Sequence, residues 1–231
     1  PYNSSTNIPL FWKNGEKNIL PFEGHSSYAY SIAIDNNGNI FIAGSDFPTG
    51  SDFPTACCWI NGIEYILCDS GEANKVYLDN GDVYFVGYED ELYGPKACYW
   101  KNGTKTELGD GYAHDMRIVG DDIYVFGLGS VNEGTYVKYW KNGIENYFSI
   151  YSPLWNKPKG SIDENGDVYI AWTKSWYEGD SMIAQGMYWK NGEINYFSDL
   201  DKYSAIDIEI VNGNRYILGY SGLWIDDIPV Y

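Results

Sequence analysis

Apolar and polar residues alternate in short runs from one end of the chain to the other. Ser31-Ile-Ala-Ile-Asp35, Asp82-Val-Tyr-Phe-Val-Gly87 and Asp207-Ile-Glu-Ile210 are typical. A period of two sends successive side chains to opposite faces of a strand. The runs are punctuated by Asn-Gly pairs, as at Asn14-Gly15, Asn80-Gly81, Asn102-Gly103 and Asn212-Gly213. Between apolar runs such a pair predicts a tight hairpin, because a type I′ turn needs positive φ at both central residues. No segment has the period and length of a useful helix.

The pattern recurs as two alternating elements. Trp12-Lys13-Asn14-Gly15 returns at Trp100 to Gly103, at Trp140 to Gly143 and at Trp189 to Gly192, and Trp59-Ile60-Asn61-Gly62 is the same element with Lys lost. The tryptophans lie 47, 41, 40 and 49 residues apart. Between them stand Asn39-Ile-Phe-Ile-Ala-Gly44, Asp82-Val-Tyr-Phe-Val-Gly87, Asp122-Ile-Tyr-Val-Phe-Gly127, Asp167-Val-Tyr-Ile-Ala171 and Asn214-Arg-Tyr-Ile-Leu-Gly219. Each repeat therefore reads as four short antiparallel strands, a to d, and a period of roughly 40–50 residues is that of a propeller blade. The expected fold is an all-β β-propeller of four-stranded antiparallel blades, one domain over 1–231. Five a–b hairpins, near 28–44, 73–87, 113–127, 159–171 and 204–219, predict five blades. The N-terminal hairpin, Leu10 to Leu20, precedes them all and is expected to complete the last blade, so that N- and C-terminal strands share a sheet and no edge stays open. The tail, Gly222 to Tyr231, fits this scheme poorly. As a c strand of its own it would displace the N-terminal hairpin, and six blades with a truncated start is the alternative. Trp12, Trp59, Trp100, Trp140 and Trp189 are expected to be buried between blades.

The small-x-aromatic-Trp-Lys-Asn-Gly … Leu pattern, followed by an alternating strand that ends in Gly, resembles repeats in secreted and surface proteins of bacteria, among them those called HAF repeats. The resemblance spans nearly the whole chain through its repeats. It implies a propeller fold and an extracellular or cell-surface setting, and it carries no catalytic residue.

Charge narrows the partners. The formal net charge is -17, with 32 acidic residues against 15 basic ones. Phosphate backbones and anionic membrane surfaces are held by clustered Lys and Arg, so nucleic acid and such membranes are poor partners. No apolar run approaches the length of a membrane span, and no insertion is expected. The chain opens PYNSSTNIPL without an initiator Met or a signal-like segment, which points to a removed signal or a trimmed start. Cys57, Cys58, Cys68 and Cys98 show no CxxC spacing and no histidine at zinc-ligand distance, so buried free thiols are expected, and their usage leaves the compartment open. A monomer is the expectation.

Candidate chemistry follows from where loops fall. The a–b and c–d turns are short and uniform. The b–c loops, read as Ser45 to Thr55, Tyr88 to Lys96, Leu128 to Thr135 and Trp172 to Gln185, vary, and variable loops on a uniform scaffold are where sites are mounted. The fourth blade gathers Trp172, Trp176, Tyr177, Glu178 and Asp180, with Tyr151 and Trp155 in the preceding d–a loop. Flat aromatics beside carboxylates suit a sugar, or else they pack the loop onto its blade. A duplicated Ser-Asp-Phe-Pro-Thr at 45–49 and 51–55 reads as a tolerated insertion. On the inner strands Lys75, Asp115, Arg117, Asp207 and Glu209 could line a central channel, as ion pairs or as acids for glycoside chemistry. Asp79-Asn-Gly-Asp82 and Asp163-Glu-Asn-Gly-Asp167 resemble pieces of calcium loops but read first as turns; no metal ligand set and no cofactor emerges. His25 and His114 stand outside any catalytic spacing. The balance favours a non-catalytic module that binds carbohydrate or a protein surface on the b–c and d–a loop face. The alternatives are a polysaccharide hydrolase or lyase using channel acids, and a purely structural repeat of a larger surface protein. A shared pocket holding two acids, at least one with a raised pKa, is the feature that would favour the enzyme.

Overall fold

The computed structural model describes residues 6–23, 26–51, 53–131, 134–151, 157–179, 181–196, 205–219 and 222–230. Among them every regular element is a strand, in two compact units, residues 1–113 and 114–231. In the first unit, β1 (Leu10–Lys13) and β2 (Glu16–Ile19) form a two-stranded hairpin. β3 (Ser26–Ile34), β4 (Ile40–Phe47), β5 (Thr55–Ile60) and β6 (Ile63–Cys68) make one antiparallel four-stranded sheet. β7 (Gly71–Asp79), β8 (Asp82–Glu91), β9 (Gly94–Lys101) and β10 (Thr104–Asp110) make the next. β11 (Tyr112–Val119) leads into the second unit with β12 (Asp122–Val131), β13 (Gly134–Lys141) and β14 (Ile144–Tyr151). Two further sheets follow, β15 (Lys159–Ile162) to β18 (Glu193–Tyr196), with β16 (Val168–Glu178) and β17 (Ser181–Lys190) between, and β19 (Ala205–Val211), β20 (Asn214–Gly219), β21 (Gly222–Ile225) and β22 (Ile228–Val230). Strands follow one another across each sheet in chain order, as the a-to-d reading requires.

The two repeated elements recognise each other. Each c–d Asn-Gly turn has positive φ at both residues, as at Asn102 (49°) and Gly103 (84°). The turn Asn then reaches back to the start of strand b: Asn102 Oδ1 accepts the Val83 N–H at 2.9 Å while its Nδ2 donates to Asp82 at 2.7 Å. Asn142 does the same with Ile123 and Asp122, and Asn191 with Val168 and Asp167. The preceding Lys binds the same carboxylate, Lys101 to Asp82 at 2.7 Å, Lys141 to Asp122 at 2.8 Å and Lys190 to Asp167 at 3.0 Å. It also lies over the ring of the Tyr two residues on, at 5.3, 5.0 and 4.9 Å from Tyr84, Tyr124 and Tyr169. The Lys-Asn pair and the Asp-x-Tyr strand start are thus two halves of one clamp. Where Lys is replaced by Ile60, the strand start reads Asn39-Ile-Phe41, so carboxylate and phenol are lost together.

That clamp explains the final sheet. The tail supplies its own c and d strands, β21 and β22, so the places the N-terminal hairpin was expected to fill are taken. The c–d turn is Asp226-Asp227, with φ of 50° and 67°, and Asp226 Oδ1 accepts the Arg215 N–H at 2.9 Å as the turn Asn does elsewhere. Trp224-Ile225-Asp226-Asp227 is therefore the Trp-x-Asn-Gly element with both turn residues changed. Trp59, Trp100, Trp140 and Trp189 are 0–8 % exposed, whereas Trp12 is 64 % exposed. Trp12 corrects the expectation of burial, for β1 has no b strand beside it. The alternation is as expected elsewhere: Trp59 packs with Leu20, Ile42 and Cys57, and its neighbour Cys58 faces the other way, into a core with Val76, Phe85 and Trp100. In the second unit Trp224, Ile208 and Ile217 pack on Tyr169, Ala171 and Tyr188. Side chains also stitch inner strand to inner strand. Ser31 Oγ accepts the Val76 N–H at 3.3 Å, Asp115 Oδ2 that of Gly160 at 3.2 Å, and Ser161 Oγ that of Ile210 at 3.1 Å. These bonds use backbone N–H groups that the first strand of a sheet would otherwise leave without a ladder partner.

Candidate functional site

The fourth-sheet aromatics do not form the expected loop. β16 and β17 run on as a long hairpin, pairing Trp172 with Met187 and Trp176 with Ile183, so Trp172, Trp176, Tyr177 and Glu178 are strand residues. Trp172 is fully buried and serves packing, which corrects its place in a ligand site. Trp176 is half-buried, its indole N–H donates to Glu178 at 3.0 Å, and Lys174 lies over its ring. Tyr177 is 74 % exposed. Trp155, Asp180 and the side chain of Tyr151 lie outside the described residues, as does His25. The second and third b–c loops shorten in the same way, with β8 and β9 paired out to Glu91 and Gly94 and β12 and β13 to Val131 and Gly134. The alternation of those segments is masked by Glu, Asp and Tyr between Tyr88 and Tyr93 and by Gly, Ser and Asn between Gly129 and Gly134, and they read as loops for that reason.

Of the inner-strand candidates, Asp115, Arg117 and Glu209 come together in the second unit. Arg117 reaches Asp115, which is fully buried, at 3.1 Å and Glu209 at 2.5 Å, and Ser161 donates to the other Glu209 oxygen at 3.3 Å. Asp207 caps the N–H of Ile208 at 3.0 Å, and Lys75 is half-buried on β7 of the first unit. Two carboxylates sharing one guanidinium are an ion-pair network, the structural alternative weighed for these residues. His114 is buried beside them, and burial, with Lys157 and Lys159 nearby, holds it well below the usual imidazole range, so it stays neutral.

A second set of carboxylates, in the first unit, has a different setting. Glu72 is the cross-strand partner of Tyr88, and Asp90 lies two residues beyond Tyr88 on β8, so all three share one face of the sheet at its b–c end. Diagonal neighbours of this kind lie about 7–8 Å apart, within reach of long side chains. The Tyr30 hydroxyl donates to Glu72 at 3.2 Å and lies 3.1 Å from Ser45 Oγ. Tyr112 meets the edge of Tyr88 with centroids 4.7 Å apart. Tyr28 lies near-parallel to Tyr30, at 7° and 6.0 Å, and both residues are 37 % exposed. Burial holds the Asp90 carboxyl above the usual carboxylate range. Burial, then the carboxylates of Glu72 and Asp90, raise Tyr88, and Tyr112 is raised by burial and the same pair. Tyr30 is raised by burial and Glu72.

Glu72, Tyr28, Tyr30 and Tyr112 are not among the residues the sequence singles out, and Tyr88 and Asp90 enter there only as part of the Tyr88 to Lys96 loop. Tyr30 is pushed out by a β-bulge between Ala29 and Ser31, and Asn74 and Ile206 occupy the same bulge in β7 and β19. The signal that could have found it is the Ala-x pair that recurs within three inner strands, Ala29-Tyr30, Ala73-Asn74 and Ala205-Ile206. The thiols take no part in such chemistry: all four cysteines are buried and free, and burial pushes Cys58 up to about 12 and Cys68 up to about 11. Asp163 Oδ1 accepts the N–H groups of Asn165 and Asp167, which makes the calcium-like segment an Asx turn. Among the described residues no group of three potential ligands is placed to hold a metal ion.

Residues 22–45 match the family described as a beta-propeller repeat. With the four-stranded antiparallel sheets, the fold class is a β-propeller. No curated protein matches the sequence. Among solved structures the chain is similar to a mannose phosphorylase from Leishmania mexicana, at 11% identity and a TM-score of 0.47, covering 92% of this chain and 84% of that one. It is similar to a polysaccharide lyase at 10% and 0.49, covering 94% and 74%, and to a glycosyl hydrolase from Bacteroides ovatus at 8% and 0.44, covering 99% and 90%. The expectation of a non-catalytic binding module is corrected here, since these three similar structures bear the names of enzymes. At these identities the likeness concerns the fold, and any chemistry in this chain has to be argued from its own residues.

Proposed function

We propose that the chain is a carbohydrate-active enzyme, a polysaccharide hydrolase or lyase, with its chemistry at the Glu72–Tyr88–Asp90 face of the first unit. One observation carries the reading. Two carboxyl groups converge on one tyrosine, and one of them, Asp90, is held toward its protonated form by burial. Glycosidases work with a pair of acids roughly 5–10 Å apart, one protonated and one not, and diagonal neighbours on one sheet face, as Glu72 and Asp90 are, are close enough to act as such a pair. In hydrolysis Asp90 would give its proton to the leaving glycosidic oxygen as the C–O bond breaks. Water would add to the anomeric carbon, and Glu72 would take the water's proton. The extracellular setting implied by the repeat resemblance belongs to this proposal, since polymeric glycan is met outside the cell.

The test is turnover on a panel of polysaccharides, read as new reducing ends for hydrolysis and as ultraviolet-absorbing unsaturated ends for elimination. Asp90→Asn and Glu72→Gln should each lower kcat by about a hundredfold or more without unfolding the protein. Full activity in both variants, or no turnover by the wild type on any polymer, sinks the reading.

A further inference from the structure

We infer that the glycan this face accepts is uncharged, that its bond is broken by hydrolysis, and that Tyr28 and Tyr30 form the platform on which a neighbouring sugar residue lies. This rests on the enzyme reading above and narrows it to one reaction and one substrate class.

The charge on the face comes first. Glu72 and Asp90 stand on one side of the same sheet, and Tyr30 already donates its hydroxyl to Glu72. Elimination from a uronate begins with loss of a proton next to the sugar's own carboxylate, and the charge that develops there has to be stabilised by a cation or by strong donors. A uronate laid against this face meets the like charge of Glu72 instead. The obvious phenolic bases fare no better: Tyr30, Tyr88 and Tyr112 are all held in the protonated form by burial and by these carboxylates. An uncharged sugar pays no such repulsion, and its hydroxyls suit carboxylate acceptors. The overall charge of -17 acts in the same direction at longer range.

The platform comes from the strand itself. The bulge at Tyr30 turns that ring to lie near-parallel to Tyr28, and Phe47 packs edge-on against Tyr28, with centroids 6.0 Å apart and planes at 74°. Asn7 fixes the far end, its Nδ2 donating to the Tyr28 hydroxyl at 2.7 Å and to Ser26 Oγ at 2.9 Å. Two braced, half-open rings beside a pair of acids are what a pyranose needs, apolar C–H face on the rings and hydroxyls toward acceptors.

The experiment uses the whole chain carrying Asp90→Asn, which holds ligand without turnover. Calorimetric titration compares neutral hexasaccharides of glucan, mannan and xylan type with oligogalacturonate and oligoalginate of equal length. At least one neutral probe should bind about tenfold or more tighter than either uronate. Adding Tyr28→Ala should weaken that binding by about tenfold, while Tyr28→Phe, which keeps the ring, should retain it. Tighter binding of the uronates, binding of neither set, or indifference to Tyr28→Ala overturns the inference. The enzyme reading fails separately, if neutral probes bind as described but the wild type releases no product from any polymer.

Discussion

The two units each bring a pair of carboxylates together, and they treat them in opposite ways. In the second unit Asp115 and Glu209 share Arg117, and Asp115 also accepts a backbone N–H from the next sheet. In the first unit Glu72 and Asp90 face tyrosines, and the charge that each phenol feels is negative. Residue type alone does not separate these sets. What separates them is the partner: a guanidinium turns two acids into a brace, while phenols leave one acid short of water and raised in pKa.

The largest expected effect breaks the brace. Arg117→Met should cost about 3–5 kcal/mol in denaturant unfolding, because it removes the charge partner of a fully buried Asp115. Glu72→Gln should change stability by less than about 1 kcal/mol, as a substitution on a half-open surface. If the two costs are equal, the distinction between brace and working pair is lost.

How far the sequence foretold this differs between fold and site. The blades were legible because Trp, Lys, Asn and Gly recur at fixed offsets and each has a task, Trp in the core, Lys and Asn in the clamp and Gly in the turn. The last hairpin was hidden because Asp226 and Asp227 take the positive-φ positions normally marked by Asn-Gly. The site was hidden for two reasons. Glu72 and Tyr88 face one another only because the bulge at Asn74 shifts the β7–β8 register by one residue, which the hairpin turn at Asn80-Gly81 does not display. Trp172 misled in the opposite sense: a tryptophan outside the repeat element drew attention as a loop aromatic, yet it fills the inside of an extended hairpin.

A smaller effect sharpens the comparison through pH. Burial raises Asp90, so its protonated form persists to higher pH than that of an exposed carboxyl. Activity that needs this proton should fall as pH rises through the raised value. Asp90→Glu sets the carboxyl one methylene farther out, toward water, so part of the activity should remain with its alkaline limb moved to lower pH. A limb that stays in place assigns the titration to another group.

The smallest effect concerns the clamps, which lie outside both acid sets and offer a control for them. Asp122 is held below the usual carboxylate range first by Lys141 and then by Asn142, and Asp82 and Asp167 likewise by Lys101 with Asn102 and by Lys190 with Asn191. A carboxylate with a depressed folded-state pKa contributes stability above its unfolded value, near pH 4, and loses it as pH falls through the folded value. Asp122→Asn should therefore lower the melting temperature slightly at neutral pH, and the gap to wild type should close in acid. The first sheet predicts the compensation. There Asn39 stands in place of Asp, Phe41 in place of Tyr and Ile60 in place of Lys, so the three changed together and none was left without its counterpart. Adding Lys141→Ile to Asp122→Asn should then cost less than the two single changes summed, because Lys141 alone would be left over the Tyr124 ring without its carboxylate. Thermal melts of the four proteins at neutral pH give the coupling directly. Strict additivity would show that the lysine and the aspartate act independently, and the shared loss in the first sheet would need another cause.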